Sequence, residues 1–128
     1  MKYLLDTHTF LWWTTDSDRL SQTAREIIGD GNSELYWSPS SSWEIAIKYH
    51  LGRLPLPEPP ESLIPTELAK NRVDSIPIVN AHAFRAGQLP MHHRDPFDRL
   101  LIAQAQLESM DIISNDRQMD LYDIGIIW

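Results

Sequence analysis

Short, unbroken apolar runs alternate with stretches whose apolar residues recur at helical spacing, and this alternation limits the fold more than any other property of the chain. "KYLLD" reads as a strand ending at Asp6 and "ELYWS", Glu34 to Ser38, as a second, each followed by a helical segment. After the second, "SPSSSWEIAIKYHLG" has Ser and Pro at its start, Trp43, Ala46, Ile47 and Leu51 at helical intervals, and Gly52 as a stop. "LPLPEPP" is a connector because its prolines forbid regular structure, and "ESLIPTELAKN" forms a short helix despite Pro65. Beyond it "VDSIPIV" is a third strand, "NAHAFRAGQL" a helix capped by Asn80, "DPFDRLLIAQAQLES" a long helix, "DIIS" a strand and "IGIIW" the last. Strands alternating with helices give an α/β fold, a parallel sheet covered on both faces, whose functional crevice lies at the carboxyl ends of the strands.

With 128 residues the chain is expected to form one domain, and it is long enough to bury a core without staples. Cysteine is absent, which removes disulfides, thiolate nucleophiles and thiolate zinc sites and suits a reducing cytosol. "MKYLLDTHTFLWW" is too short and too acidic for a signal-peptide core, and no run of about 18 apolar residues occurs, so a soluble, unexported, cytoplasmic protein is expected. Eighteen acids against eleven Lys and Arg leave a net charge of −7, which argues against a general phosphate-binding surface. Acids gathered in one pocket and neutralised by divalent cations would distort that count without describing the outer surface.

Four acids fall where such a pocket would form. Asp6 follows "YLL", Asp116 stands two residues after "IIS", and Glu44 and Asp98 lie in the first turns of helices that open on the same side of the sheet if the crossovers are right-handed. Two like charges about 4 Å apart repel by roughly 4 kcal/mol at an effective dielectric of 20, so crowded carboxylates must protonate or hold cations. Oxygen ligands with no thiolate and no obligatory histidine favour Mg2+ or Mn2+, ions that activate water and stabilise a leaving oxygen at phosphorus. Each acid also has a local explanation: Asp6 as a turn or cap, Glu44 as an i,i+4 partner of Lys48, Asp98 as a dipole-favoured acid, Asp116 as the cap of a short helix. In "HHRDPFDRLLIAQA", Asp95 before Pro96 is expected to cap the helix, while Asp98 shares a sheet-facing stripe with Leu101, Ile102 and Ala105. His92 and His93 are expected to be solvent-exposed in a polar loop. Leu11, Trp12 and Trp13 suit either core or an interface with a second copy or a partner.

Taken together, "YLLDTHTFLWW", "SPSSSWEIAIK", "DPFDRLLIAQA" and "IISNDRQM", in this order and at these separations, resemble the four motifs of a PIN domain, specifically the toxin ribonucleases of VapBC toxin–antitoxin pairs, across residues 1–128. The resemblance implies about five mostly parallel strands with helices on both faces, and a Mg2+-dependent ribonuclease (Mn2+ possible) that cleaves single-stranded RNA. It also implies a homodimer and a cognate antitoxin. It matches Asp6, Glu44, Asp98 and Asp116 to the family's metal-binding acids and Ser114 to a hydroxyl that orients a carboxylate or water; Lys48, Arg53, Arg94, Arg99 and Arg117 are candidates to rim the crevice. Rival readings are a phosphatase or receiver-type phosphotransfer domain with Asp6 as acceptor, and a non-catalytic binding module with structural acids. The phosphatase pattern wants an acid two places after the nucleophile, where this chain has His8.

Overall fold

A computed structural model describes residues 1–128, with β1 (Lys2–Leu5), α1 (Thr7–Thr14), α2 (Gln22–Gly29), β2 (Glu34–Trp37), α3 (Pro39–His50), α4 (Pro60–Lys70), β3 (Val73–Ser75), α5 (Asn80–Gln88), α6 (Pro96–Glu108), β4 (Asp111–Ile113), a 3-10 turn (Arg117–Leu121) and β5 (Ile126–Ile127). The five strands form one sheet in the order β3-β2-β1-β4-β5, and every pairing is parallel.

The pleat sorts the core into two layers. Tyr3 and Leu5 of β1 and Ile113 of β4 join Phe10, Ala24, Ile28, Ile45 and Ile64, so α1 to α4 cover one face. Leu4 and Ile112 point the other way and join Leu101, Ile102 and Ala105 of α6. Burial on both faces is what allows these strands to be apolar throughout rather than alternating.

Some expectations shift in detail. The third strand ends at Ser75 rather than running through "SIPIV". Ile76 N–H still donates to Trp37 O at 2.8 Å, but Pro77 has no N–H with which to continue the ladder. The cap of α5 is Val79, not Asn80, and its N–H is taken by His82 Nδ1 at 3.0 Å. "IGIIW" contributes two paired residues. The helix α2 has no counterpart in the sequence reading, although Ser21 caps it through Ala24 N–H at 3.0 Å.

The path of the chain fixes where a site can form. From β1 it crosses to β2 and β3 on one side, then returns to place β4 on the other side of β1. The strand order therefore reverses between β1 and β4, and the crevice at their carboxyl ends is the topological switch point. Leu5 pairs with Ile113, so the next residues, Asp6 and Ser114, emerge side by side.

Candidate metal centre

Asp6 is buried at that switch point and does two jobs. Its backbone is extended (φ −64°, ψ 153°), it caps α1 by accepting the Thr7 N–H on Oδ1 at 2.7 Å, and its Oδ2 accepts the Ser114 hydroxyl at 2.7 Å. Ser114 Oγ also accepts the Asp116 N–H at 3.0 Å, so one buried hydroxyl ties the end of β1 to the loop after β4. Ser114, matched by the resemblance to an orienting hydroxyl, makes both of these hydrogen bonds.

Glu44 is buried in the second turn of α3. Its Oε1 accepts the Thr7 hydroxyl at 2.8 Å and its Oε2 pairs with Lys48 Nζ at 2.8 Å. The i,i+4 pair read as an alternative to a functional Glu44 is present, yet it coexists with the link to α1 that brings Glu44 beside Asp6. Thr7, whose Oγ1 is also 2.8 Å from Ser41 Oγ, went unnoticed in the sequence; its place directly after the acid of β1 was the only signal.

Asp95 caps α6, accepting the N–H groups of Phe97 at 2.8 Å and Asp98 at 3.3 Å. Asp98, three residues on, points into the cluster: His93 Nε2 is 3.0 Å from Asp98 Oδ2 and 2.8 Å from Asp116 Oδ2. Ligand-capable atoms of His93, Asp98 and Asp116 all lie within 4.8 Å of one another. His92 is exposed as expected, but His93 is buried. The expectation that both histidines face solvent fails because the backbone N–H of His93 donates to Tyr122 Oη at 2.8 Å and draws the residue inward. Asp116 also caps the 3-10 turn, through Gln118 N–H at 3.0 Å.

The electrostatics follow from burial. Desolvation is the main cause that pushes the Asp98 carboxyl up to about 8, with the charges of Asp6, Asp95, Glu44 and Asp116 adding to it. The Asp6 carboxyl is also raised, by burial first, against the opposing hydrogen bond from Ser114, with Glu44 pushing further upward. Acids that repel one another in a desolvated crevice take up protons or bind a cation. The donor set is almost wholly carboxylate oxygen, which fits a hard divalent ion. Of the cationic side chains, Lys48 is half-buried at the rim and Arg53, Arg94 and Arg117 are exposed. Arg99 does not rim the crevice: it is buried, and its guanidinium donates to main-chain oxygens that include Leu89 at 2.9 Å and Ala86 at 2.7 Å.

A doubly covered parallel sheet with carboxyls gathered at the carboxyl ends of its reversal strands defines a class, the α/β domains with an acidic pocket that could hold a metal ion. Within that class the chain belongs to the PIN-domain family, whose model matches residues 3–125. It is 32% identical over 117 residues to Ribonuclease VapC22 of Mycobacterium tuberculosis, an alignment covering 91% of this chain and 88% of that protein. A shorter match, 36% identical over 66 residues, is to Ribonuclease VapC16 of the same organism and covers 52% of this chain and 46% of that one. Among solved structures, VapBC2 from Rickettsia felis bound to a promoter DNA fragment is similar with a TM-score of 0.71 at 16% identity, covering 99% of this chain and 98% of that one. VapBC-1 from nontypeable Haemophilus influenzae is similar with a TM-score of 0.63 at 18% identity, covering 99% and 97%. At such identities these structures speak to the fold, and it is the five-stranded α/β fold expected from the sequence.

Proposed function

We propose that residues 1–128 form a single catalytic domain, a divalent-cation-dependent endoribonuclease that is the toxin of a toxin–antitoxin pair. The observation that carries this reading is the meeting of Asp6, Glu44, Asp98 and Asp116, from β1, α3, α6 and the loop after β4, at one switch point where two of the carboxyls are pushed upward. The names of the curated relatives, both ribonucleases, support the reaction class. The toxin–antitoxin complexes among the structural neighbours support an antitoxin partner, and a homodimer belongs to the same reading.

In this reading Asp6, Glu44, Asp98 and Asp116 hold Mg2+, with Mn2+ able to replace it. When bound, the ion supplies a water activated for attack and charge to offset the leaving oxygen at the scissile phosphate. Ser114 and Thr7 fix the rotamers of Asp6 and Glu44, so the carboxylates meet the cation already oriented. Lys48 orients Glu44 and, with Arg94 and Arg117 at the rim, places positive charge where an RNA backbone would approach an otherwise acidic surface. No side chain is offered as a covalent nucleophile: His8 stands where a phosphotransfer enzyme would need its second acid. No helix is long and apolar enough to cross a membrane, and a toxin that cleaves RNA would meet its substrate in the cytoplasm.

The test is cleavage of a single-stranded RNA by the purified chain. Mg2+ or Mn2+ should be required, and Asp6→Asn should lower the rate by more than about a hundredfold while leaving the circular-dichroism spectrum unchanged. Full activity in excess chelator would overturn the cation mechanism.

A further inference from the structure

We propose that His93 is a positioning residue of the cation site and not one of its ligands. The inference rests on the reading of Asp98 and Asp116 as cation-binding carboxylates, and it assigns a role to a side chain that the four acidic motifs do not include.

The argument begins at the other nitrogen of the ring. Asp95 N–H donates to His93 Nδ1 at 3.2 Å, so Nδ1 presents a lone pair and the ring proton sits on Nε2. Nε2–H then donates to Asp116 Oδ2 at 2.8 Å, and Asp98 Oδ2 lies 3.0 Å from the same nitrogen. A nitrogen that carries the ring proton and donates it to Asp116 has no lone pair for a metal. Freeing one would place a proton on Nδ1, directly against the Asp95 N–H. The ring instead holds an oxygen of the loop after β4 by a hydrogen bond, with an oxygen of α6 3.0 Å from the same nitrogen, so one imidazole stands between two carboxyls that would otherwise crowd each other.

The ring cannot easily swing away, because its backbone is clamped. Its N–H donates to Tyr122 Oη at 2.8 Å, and that hydroxyl donates onward to Pro90 O at 2.6 Å. Its carbonyl accepts from Arg99 Nη1 at 3.1 Å, while the rest of that buried guanidinium is spent on the carbonyls at the end of α5 and just beyond it. This explains why an arginine one residue after Asp98 is buried: Arg99 and Tyr122 fix the loop that carries His93. Asp95 serves the same end twice, its carboxylate capping α6 and its N–H selecting the His93 tautomer. Orienting groups of this kind around a metal site are worth about 10–100-fold in metal affinity.

Mn2+ is the probe. Pulsed electron paramagnetic resonance of the Mn2+-loaded wild-type protein should show no coupling from a directly bound imidazole nitrogen. His93→Ala should bind Mn2+ about 10–100-fold more weakly by titration, and His93→Gln, whose amide N–H can reach the place of Nε2–H, should recover most of that loss. A ligand-type nitrogen coupling that disappears in His93→Gln would make His93 a ligand and overturn the inference. So would wild-type affinity in a folded His93→Ala. Failure of the wild-type protein to bind Mn2+ at all would instead remove the proposed function, and this inference with it.

Discussion

Asp95 and Asp98 are three residues apart in one helix and have opposite physical roles. The carboxylate of Asp95 accepts two backbone N–H groups at the start of α6, a task asparagine performs about as well. Asp98 is desolvated among Asp6, Glu44 and Asp116, and its carboxyl is pushed up to about 8. Asp95→Asn should therefore leave melting temperature and cleavage nearly unchanged. Asp98→Asn should abolish cleavage and raise the melting temperature of the cation-free protein, because it removes a charge that burial disfavours. Thermal melting in chelator and an RNA cleavage assay check both mutants, and exchanged phenotypes would shift the third acid of the site by one helical turn. The acids were legible in the sequence because strand ends and helix starts are marked by local pattern. His93 was not, because what buries it is Tyr122, 29 residues away, and the buried Arg99, a constraint that no local pattern encodes.

At the scale of elements, α3 does two things with two faces. Ser41, Glu44 and Ile45 are buried toward α1 and the sheet and Ser40 toward α6, whereas Trp43, Ile47 and the C-cap Leu51, each four residues apart, are 64%, 37% and 60% exposed. An apolar stripe at helical spacing left open beside an acidic site is the kind of surface a protein partner covers. The tryptophans of α1, read from sequence as either core or interface, pack against the core of their own chain. Trp12 meets Trp128 edge-on at 5.7 Å, and Trp13 Nε1–H donates to Asn71 Oδ1 at 2.9 Å. The proposed antitoxin should accordingly bind the α3 stripe, and Leu51→Glu should weaken the complex, by calorimetry, about tenfold or more, leaving cleavage by the free protein intact. Equal affinity of the mutant and wild-type proteins would place the partner elsewhere. The long helices α3 and α6 were plain in the sequence; α2 was passed over although Ala24, Ile27 and Ile28 stand at i, i+3 and i+4 behind the Ser21 cap, because its eight residues fall short of the window over which a period is read. The third strand was read too long for a related reason: "SIPIV" is apolar enough for a strand, yet Pro77 cannot donate to the ladder.

For the whole molecule, the crevice that serves the proposed reaction opposes the stability of the cation-free fold. Asp98 has its carboxyl near 3.8 when unfolded and at about 8 when folded, so between those values the folded state holds a proton that the unfolded state has released. Its contribution is fully favourable below about pH 4 and is lost progressively as pH rises toward 8, and the raised Asp6 carboxyl acts in the same direction. In the proposed function a divalent ion takes the place of the proton and offsets that trend. In chelator the melting temperature should fall as pH is raised from about 5 to 8, whereas in saturating Mg2+ the fall should flatten and the stabilisation by Mg2+ should grow with pH. At a hundred times its dissociation constant, an ion bound only to the folded form adds about 2.7 kcal/mol, which for a chain of this length moves the transition by about 10 °C. Asp98→Asn should lose most of both effects, since it removes the proton and a cation-binding oxygen together. Calorimetric melts of wild type and mutant across that pH range, with Mg2+ and with chelator, check the linkage. A Mg2+ stabilisation equally large at pH 5 and pH 8 would mean that the ion binds away from the buried acids.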